Sequence, residues 1–156
     1  MPSSRAKLKT LKKLLTQRRL WGWEGKRVVF TNGVFDLLHA GHVQLLEKAK
    51  SLGDILIVGV NADASARRLG KGPERPINRF PDRAAVIAAL GCVDAVIGFD
   101  EDTPAEVVAR LKPDVLVKGG DYRKDQVAGR EHAGRVAIVP LKAGYSTTGI
   151  VKRLRA

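Results

Sequence analysis

Five short apolar runs punctuate the chain: Val28-Val29-Phe30, Asp54 to Val60, Val93 to Phe99, Asp114 to Val117 and Arg135 to Pro140. Each is short for a helix and rich in β-branched residues, which predicts a strand buried on both faces. Between them apolar residues recur at helical spacing. Ala40 to Leu52 predicts a helix ending at a left-handed Gly53, and Pro81 to Leu90 one with Asp82 in its first turn and Gly91 at its end. Thr103-Pro104-Ala105-Glu106 opens another with Thr103 as its cap, and Gln126 to Glu131 predicts a short one. Ser146-Thr147-Thr148 begins the last, Gly149 to Arg155. Strands and helices in alternation imply right-handed crossovers, hence an α/β fold: a parallel five-stranded sheet with helices on both faces.

Upstream of the first strand the pattern changes. Arg5 to Leu20 places Leu8, Leu11 and Leu15 on one stripe, with Lys7, Lys9, Lys12, Lys13, Arg18 and Arg19 largely elsewhere, which predicts a basic amphipathic helix. Trp21-Gly22-Trp23-Glu24-Gly25 then reads as a turn that tucks at least one indole against the core. Residues 1–26 are therefore expected to form a helix and connector, its leucines packed on the domain or on a second subunit, and residues 27–156 the domain itself. A length of 156 residues with 44% apolar composition supplies one core. The formal net charge of +12 raises nucleic acid as a partner, but the excess sits at the ends. Residues 1–27 hold nine basic side chains against Glu24 alone, whereas residues 28–151 hold 16 basic against 15 acidic. A nucleic-acid binder is expected to spread its excess over a folded face, so a binding module built on the leading helix is kept only as the reading of a different class. Cys92 stands alone, which excludes an internal disulfide and a Cys-based zinc site, and no run reaches the length of a membrane span. A cytoplasmic location with no membrane partner is expected.

The chemistry gathers at one turn. Phe30 to His42 runs from the end of the first strand into a helix, where free N–H groups and the helix dipole favour an anion. Gly33 and Gly41 would give a phosphate room against the backbone. His39 and His42 lie three residues apart, so both rings can face one side and stabilise charge developing on a phosphate, with no nucleophile from the protein. Lys118 ends a strand beside Gly119 and Gly120, a setting that suits an anion. Arg67, Arg68, Lys71 and Arg75 lie on a polar Gly- and Pro-rich loop able to close over one, and Arg83 is placed to reach a phosphate. Ser146, Thr147 and Thr148 offer three hydroxyls where a cap uses one. No Ser-His-Asp order, H-E-x-x-H, metal-binding carboxylate cluster or glycine-rich nucleotide fingerprint occurs, which leaves phosphoryl or nucleotidyl transfer.

Asn32-Gly33-Val34-Phe35-Asp36 followed by His39-Ala40-Gly41-His42 resembles the first signature of the H-x-G-H nucleotidyltransferase superfamily, which includes small cytidylyltransferases, phosphopantetheine adenylyltransferase and class I tRNA synthetases. Arg75-Pro76-Ile77-Asn78, Arg83, Val117 to Tyr122 and Gly144 to Thr148 are similar, in the same order, to the adenylyltransferases that make ADP-heptose from a heptose 1-phosphate. The similarity runs from Arg27 to Arg155. It implies a Rossmann-like H-x-G-H nucleotidyltransferase fold and transfer of AMP from ATP to a sugar 1-phosphate, with release of pyrophosphate, in lipopolysaccharide or surface-glycan precursor synthesis. It also implies roles. His39, His42 and Lys118 would be catalytic; Thr31, Asn32, Gly33, Val34, Phe35, Gly41, Ser146, Thr147 and Thr148 would hold ATP; Asp36, Lys71, Arg75, Arg83, Gly120 and Asp121 would hold the sugar phosphate. Mg²⁺ would arrive with ATP and not in a protein cage, and a homodimer or higher homo-oligomer is implied. Many relatives carry a fused sugar kinase, whereas here 27 residues precede the first strand, so a free-standing adenylyltransferase is expected. Gly149 departs from the pattern, since relatives often carry a larger polar residue there. The alternative within the superfamily is a cytidylyltransferase for glycerol 3-phosphate or a similar small phosphate, because backbone contacts can select the base.

Overall fold

The computed structural model describes residues 2–156. Its strands are β1 (Val28–Gly33), β2 (Ile55–Asn61), β3 (Ala95–Phe99), β4 (Val115–Gly119) and β5 (Arg135–Val139). Its helices are α1 (Ser4–Lys7), α2 (Leu11–Trp23), α3 (Ala40–Lys50), α4 (Asp63–Arg68), α5 (Phe80–Ala89), α6 (Ala105–Leu111) and α7 (Thr147–Arg155). All strand pairs are parallel, in the order 3-2-1-4-5. The order reverses between β1 and β4, so their carboxyl ends open the crevice in which such sheets bind ligands.

Successive side chains of each strand face opposite ways, which divides the core in two. Val29, Leu56, Val58, Val115 and Val117 share one cluster with Leu46 of α3 and Ile87 of α5. Val28, Phe30, Ile57 and Leu116 share the other with Leu14 of α2 and Val108 of α6. The expected sheet with helices on both faces is present, and the leading helix supplies part of the second layer. Register is held at the amino ends by aspartates. Asp54, Asp94 and Asp114 immediately precede β2, β3 and β4. Their carboxylates accept the N–H groups of Arg27, Leu56 and Val28, each at 2.7 Å.

Several local features differ from the sequence pattern. Gly53 is not left-handed; α3 ends at Lys50 with Ser51 as its C-cap, and Gly53 is required because a Cβ there would fall 2.7 Å from Val29 Cγ2. Pro104 is the N-cap of α6, and the Thr103 hydroxyl takes only the Ala105 N–H at 3.4 Å. Gln126 to Glu131 is not one helix but falls across two 3₁₀ turns, Lys124–Gln126 and Arg130–His132, parted by Gly129 at φ 86°. The basic helix is broken as well. After α1, Leu8 forms a parallel bridge to Val96 and the Lys9 N–H donates to the Val96 carbonyl at 2.9 Å, so the segment covers the β3 edge. That extended break shifts the helical phase: Leu14 becomes fully buried, Leu11 and Leu15 are half-buried, and Leu8 stays 37% exposed. Trp21 packs against the core while Trp23 is exposed.

Leu14→Ala is expected to lower unfolding stability by about 2–5 kcal/mol, the cost of a cavity in a packed core, and Leu8→Ala by under about 1 kcal/mol. Urea denaturation of the two variants checks the assignment; equal losses would mean that the leading helix does not seat on Leu14.

Candidate active site

The β1–α3 turn is shaped by the need to satisfy a helix start. His39 is the extended N-cap of α3; its Nδ1 accepts the His42 N–H at 3.4 Å, and His42 Nδ1 accepts the His39 N–H at 3.3 Å. This reciprocal pair is a capping box made of imidazoles. The rings stack with centroids 3.7 Å apart and planes 21° apart. Because each Nδ1 accepts, each ring carries its proton on Nε2. Burial lowers the His39 pKa, and burial followed by the charge of His39 takes His42 from the ordinary 6.5 to about 4. At neutral pH the pair is uncharged and keeps two Nε2–H donors for the cleft.

The two glycines of the turn make room for rings, and they also line the clefts beside them. A Cβ on Gly41 would lie 2.9 Å from His39 Cε1 and Nδ1, and one on Gly33 would lie 2.9 Å from Phe35 Cε2 and Cζ. Phe35 is held at φ 51°, a left-handed conformation uncommon outside glycine, and its buried ring meets His42 edge-on at 5.2 Å.

Two clefts of about 280 Å³ each adjoin at Val34, which lines both. The histidine cleft is lined by His39, His42, Lys71, Arg75, Lys142, Tyr145 and the Ser146 to Thr148 run. Ser146 Oγ caps α7 by accepting the Gly149 N–H at 2.9 Å, and Thr147 Oγ1 donates to the Leu37 carbonyl at 3.1 Å, which leaves Thr148 free. Gly149 fits this cap, since a Cβ there would sit 2.9 Å from Ser146 Oγ. The lysine cleft is lined by Asn32, Asn61, Thr103, Lys118, Tyr122 and Gln126, with Val127 and Ala128. Lys118 is half-buried, its pKa lowered by that burial, and its Nζ lies 5.0 Å from the Tyr122 ring centroid with no carboxylate partner. The Val34 turn thus stands between Lys118 and the histidines.

Several residues expected to touch ligand are bonded within the protein. Thr31 is buried and its hydroxyl donates to the Val117 carbonyl at 3.0 Å, tying β1 to β4. Asp36 is 3% exposed; Oδ2 accepts from Arg75 Nε at 2.7 Å and the Ile77 N–H at 2.8 Å, and Oδ1 accepts the Asn78 N–H at 2.9 Å. Burial pushes the Asp36 carboxyl up, but the Asn78 and Ile77 N–H groups and the Arg75 guanidinium outweigh it and hold the pKa below 3.8. Arg75 gives Nε to this pair and still lines the histidine cleft. Arg83 is 1% exposed, with its guanidinium bonded to the carbonyls of Val34, Asn61 and Asn78 and to Asp63. Gly120 turns the chain at φ 112°, and Asp121 is exposed and lines neither cleft. Tyr122 and Tyr145, not singled out from sequence, sit inside the recognised motifs; Asn61 stands at the carboxyl end of a strand, where such sheets place ligands, and nothing local marks Gln126. Among the described residues no group of three or more His, Cys, Asp or Glu could hold a metal ion, and no helix is long and apolar enough to cross a membrane.

Comparison with known proteins bears on this arrangement. The profile of the cytidylyltransferase-like family matches residues 30–153. The bifunctional protein HldE of Magnetococcus marinus is 57% identical over 140 residues, covering 87% of this chain and 28% of that protein. The bifunctional protein HldE of Geotalea uraniireducens is 51% identical over 158 residues, covering 99% of this chain and 32% of that protein. The chain thus spans about a third of the length of these relatives. Among solved structures, the lipopolysaccharide core biosynthesis protein of Thermoplasma volcanium aligns with a TM-score of 0.63 at 35% identity, over 76% of this chain and 98% of that one. Pantoate-beta-alanine ligase of Francisella tularensis, at 17% identity and a TM-score of 0.55, covering 86% of this chain and 67% of that one, shares the fold.

The imidazole pair carries a pH signature. The folded chain takes up the His42 proton near pH 4 and the unfolded chain near 6.5, so this contribution to stability is complete above about pH 6.5 and is lost as pH falls towards about 4. Denaturation midpoints between pH 7 and 4.5 are expected to fall more steeply for the natural chain than for His42→Gln. Identical slopes would remove His42 as the titrating group.

Proposed function

We propose that this chain, which belongs to the cytidylyltransferase-like family, transfers AMP from ATP to a heptose 1-phosphate or closely similar sugar 1-phosphate and releases pyrophosphate. The observation that carries the reading is the junction of the two clefts at Val34: a donor-rich cleft shaped for a triphosphate meets a polar cleft with one half-buried, unpaired lysine. The triphosphate lies along His39, His42, Lys142 and Thr148, and also along Lys71 and Arg75, which the resemblance gave to the sugar phosphate but which line the histidine cleft; the sugar phosphate enters beside Lys118, Tyr122 and Asn32, the last given to ATP by the resemblance but lining the lysine cleft. Support for the sugar 1-phosphate comes from the motif resemblance over residues 75–78, 117–122 and 144–148, and from the likeness to a lipopolysaccharide core biosynthesis protein.

The chemistry asks little of the protein in proton transfer. A phosphate oxygen of the sugar 1-phosphate, already anionic, attacks the α-phosphorus; its bond to that phosphorus forms as the bond to the bridging oxygen breaks, and the electron pair leaves on pyrophosphate. No base is needed to activate the nucleophile and no acid to release the leaving group. With its pKa near 4, His42 is neutral at working pH and acts as a hydrogen-bond donor, not a general acid. Two neutral Nε2–H groups fixed before the reaction stabilise charge as it grows on the phosphate oxygens. Lys118 supplies positive charge where two polyanions approach, and Lys71 and Arg75 flank the triphosphate. The donor set at the junction suits phosphate oxygens more than a bare metal ion, which fits a Mg²⁺ held chiefly by the triphosphate; when bound it would offset the charge of the departing pyrophosphate.

His39→Asn and His42→Asn remove the Nε2–H while leaving a short side-chain oxygen for the cap, and each is expected to lower kcat by about a hundredfold with folding retained. Lys118→Met, which keeps the aliphatic stem, is expected to fold and lose most activity. Pyrophosphate release, measured over a panel of nucleoside triphosphates against heptose 1-phosphate, glycerol 3-phosphate and ethanolamine phosphate, is expected to be fastest for ATP with heptose 1-phosphate. A faster rate for CTP with glycerol 3-phosphate would replace the assignment.

A further inference from the structure

Arg83, on the first turn of α5, is the largest fully buried side chain of the fold. Its Nη1 donates to the carbonyls of Val34 at 2.7 Å and Asn61 at 2.8 Å, its Nη2 to Asp63 Oδ1 at 2.8 Å, and its Nε to the Asn78 carbonyl at 2.9 Å. Asp63 Oδ1 also accepts the Phe80 N–H at 2.9 Å. One guanidinium therefore joins the β1–α3 turn, the end of β2, the start of α4 and the loop leading into α5. Taking a charge out of water is costly unless its hydrogen bonds are supplied, and here most are carbonyls, so the gain lies in fixing the loops that carry them.

The contact with Val34 has a directional consequence. The Val34–Phe35 peptide is trans, so its C=O and N–H point opposite ways. Arg83 holds the Val34 carbonyl, so the Phe35 N–H points away from the guanidinium, and both Val34 and Phe35 line the histidine cleft. Among the described residues no protein acceptor takes this N–H. Phe35 at φ 51° and its ring in the space left by Gly33 keep the peptide plane in place from the other end.

We propose that Arg83 is a positioning residue for nucleotidyl transfer: by holding the Val34 carbonyl, it aims the Phe35 N–H at the α-phosphate of the bound nucleotide. This rests on the function proposed above and adds a residue that touches neither substrate.

Arg83→Lys is expected to lower kcat by about tenfold to a hundredfold while KM for ATP stays within about threefold, because the contact matters most as charge grows on the phosphate. Replacing Phe35 by phenyllactate, which turns the N–H into an ester oxygen, is expected to give a similar loss, and the double variant no more than either alone. Additive losses, or a folded Arg83→Lys with unchanged kcat, would overturn the proposal. If Arg83→Lys does not fold, the ¹H–¹⁵N resonance of Phe35 in the natural chain decides: it is expected to move on addition of Mg·ATP, and a resonance that stays still while ATP binds overturns the proposal. If that resonance moves yet no sugar 1-phosphate is turned over, it is the proposed reaction that falls, and the aim of the Phe35 N–H stands.

Discussion

The site depends on a division of labour among four imidazole nitrogens. The Nδ1 atoms of His39 and His42 close the first turn of α3 on each other's backbone, which leaves the two Nε2–H groups for a ligand. The two tasks enforce one another. A protonated ring carries hydrogen on both nitrogens and can no longer accept at Nδ1, so protonation would open the cap; stacking at 3.7 Å would also set two positive charges face to face. The helix start therefore keeps the pair neutral, and neutrality keeps it a donor pair of fixed tautomer. Gly41 belongs to the same device, because any larger residue at that position would displace the His39 ring.

Around this pair, buried charges act as scaffold. Asp36 lies three residues before His39 and gathers Arg75, Ile77 and Asn78, so the loop carrying Lys71 and Arg75 is tied to the strand-to-helix turn. Arg83 holds the same turn from beneath. Ion pairs of this kind add little net stability, since desolvation offsets most of their attraction, yet removing one partner strands a buried charge. Their effect is to fix loops that have few apolar contacts of their own, which a cleft lined by polar groups requires.

The basic leading segment belongs to the architecture of the sheet. Leu14 enters the second core beside Phe30 and Ile57, and Lys9 closes the β3 edge that a parallel sheet would otherwise leave open. Its lysines and arginines sit largely at the surface around that apolar contact, and Arg18 reaches the Leu111 and Lys112 carbonyls at the end of α6. The segment thus shares a core with the strands although its composition sets it apart.

By itself the sequence determined the alternation of strands and helices, the parallel sheet and the strand-to-helix turn that carries the two histidines, because those follow from periodicity and from motifs whose parts lie within a dozen residues. His39 and His42 were legible as a pair since three residues separate them. Only the tertiary structure decided which charged motif residues pair with one another inside the protein. Asp36 and Arg75 are 39 positions apart and Val34 and Arg83 are 49 apart, and no local pattern says that such groups satisfy each other. A buried carboxylate or guanidinium must find partners wherever the fold brings them, so a residue that reads in sequence as a substrate contact can be used up inside. The phase of the leading helix was settled in the same way, by a three-residue break that lets Lys9 pair with Val96 and turns Leu14 inward, a contact between parts of the chain that no short window contains.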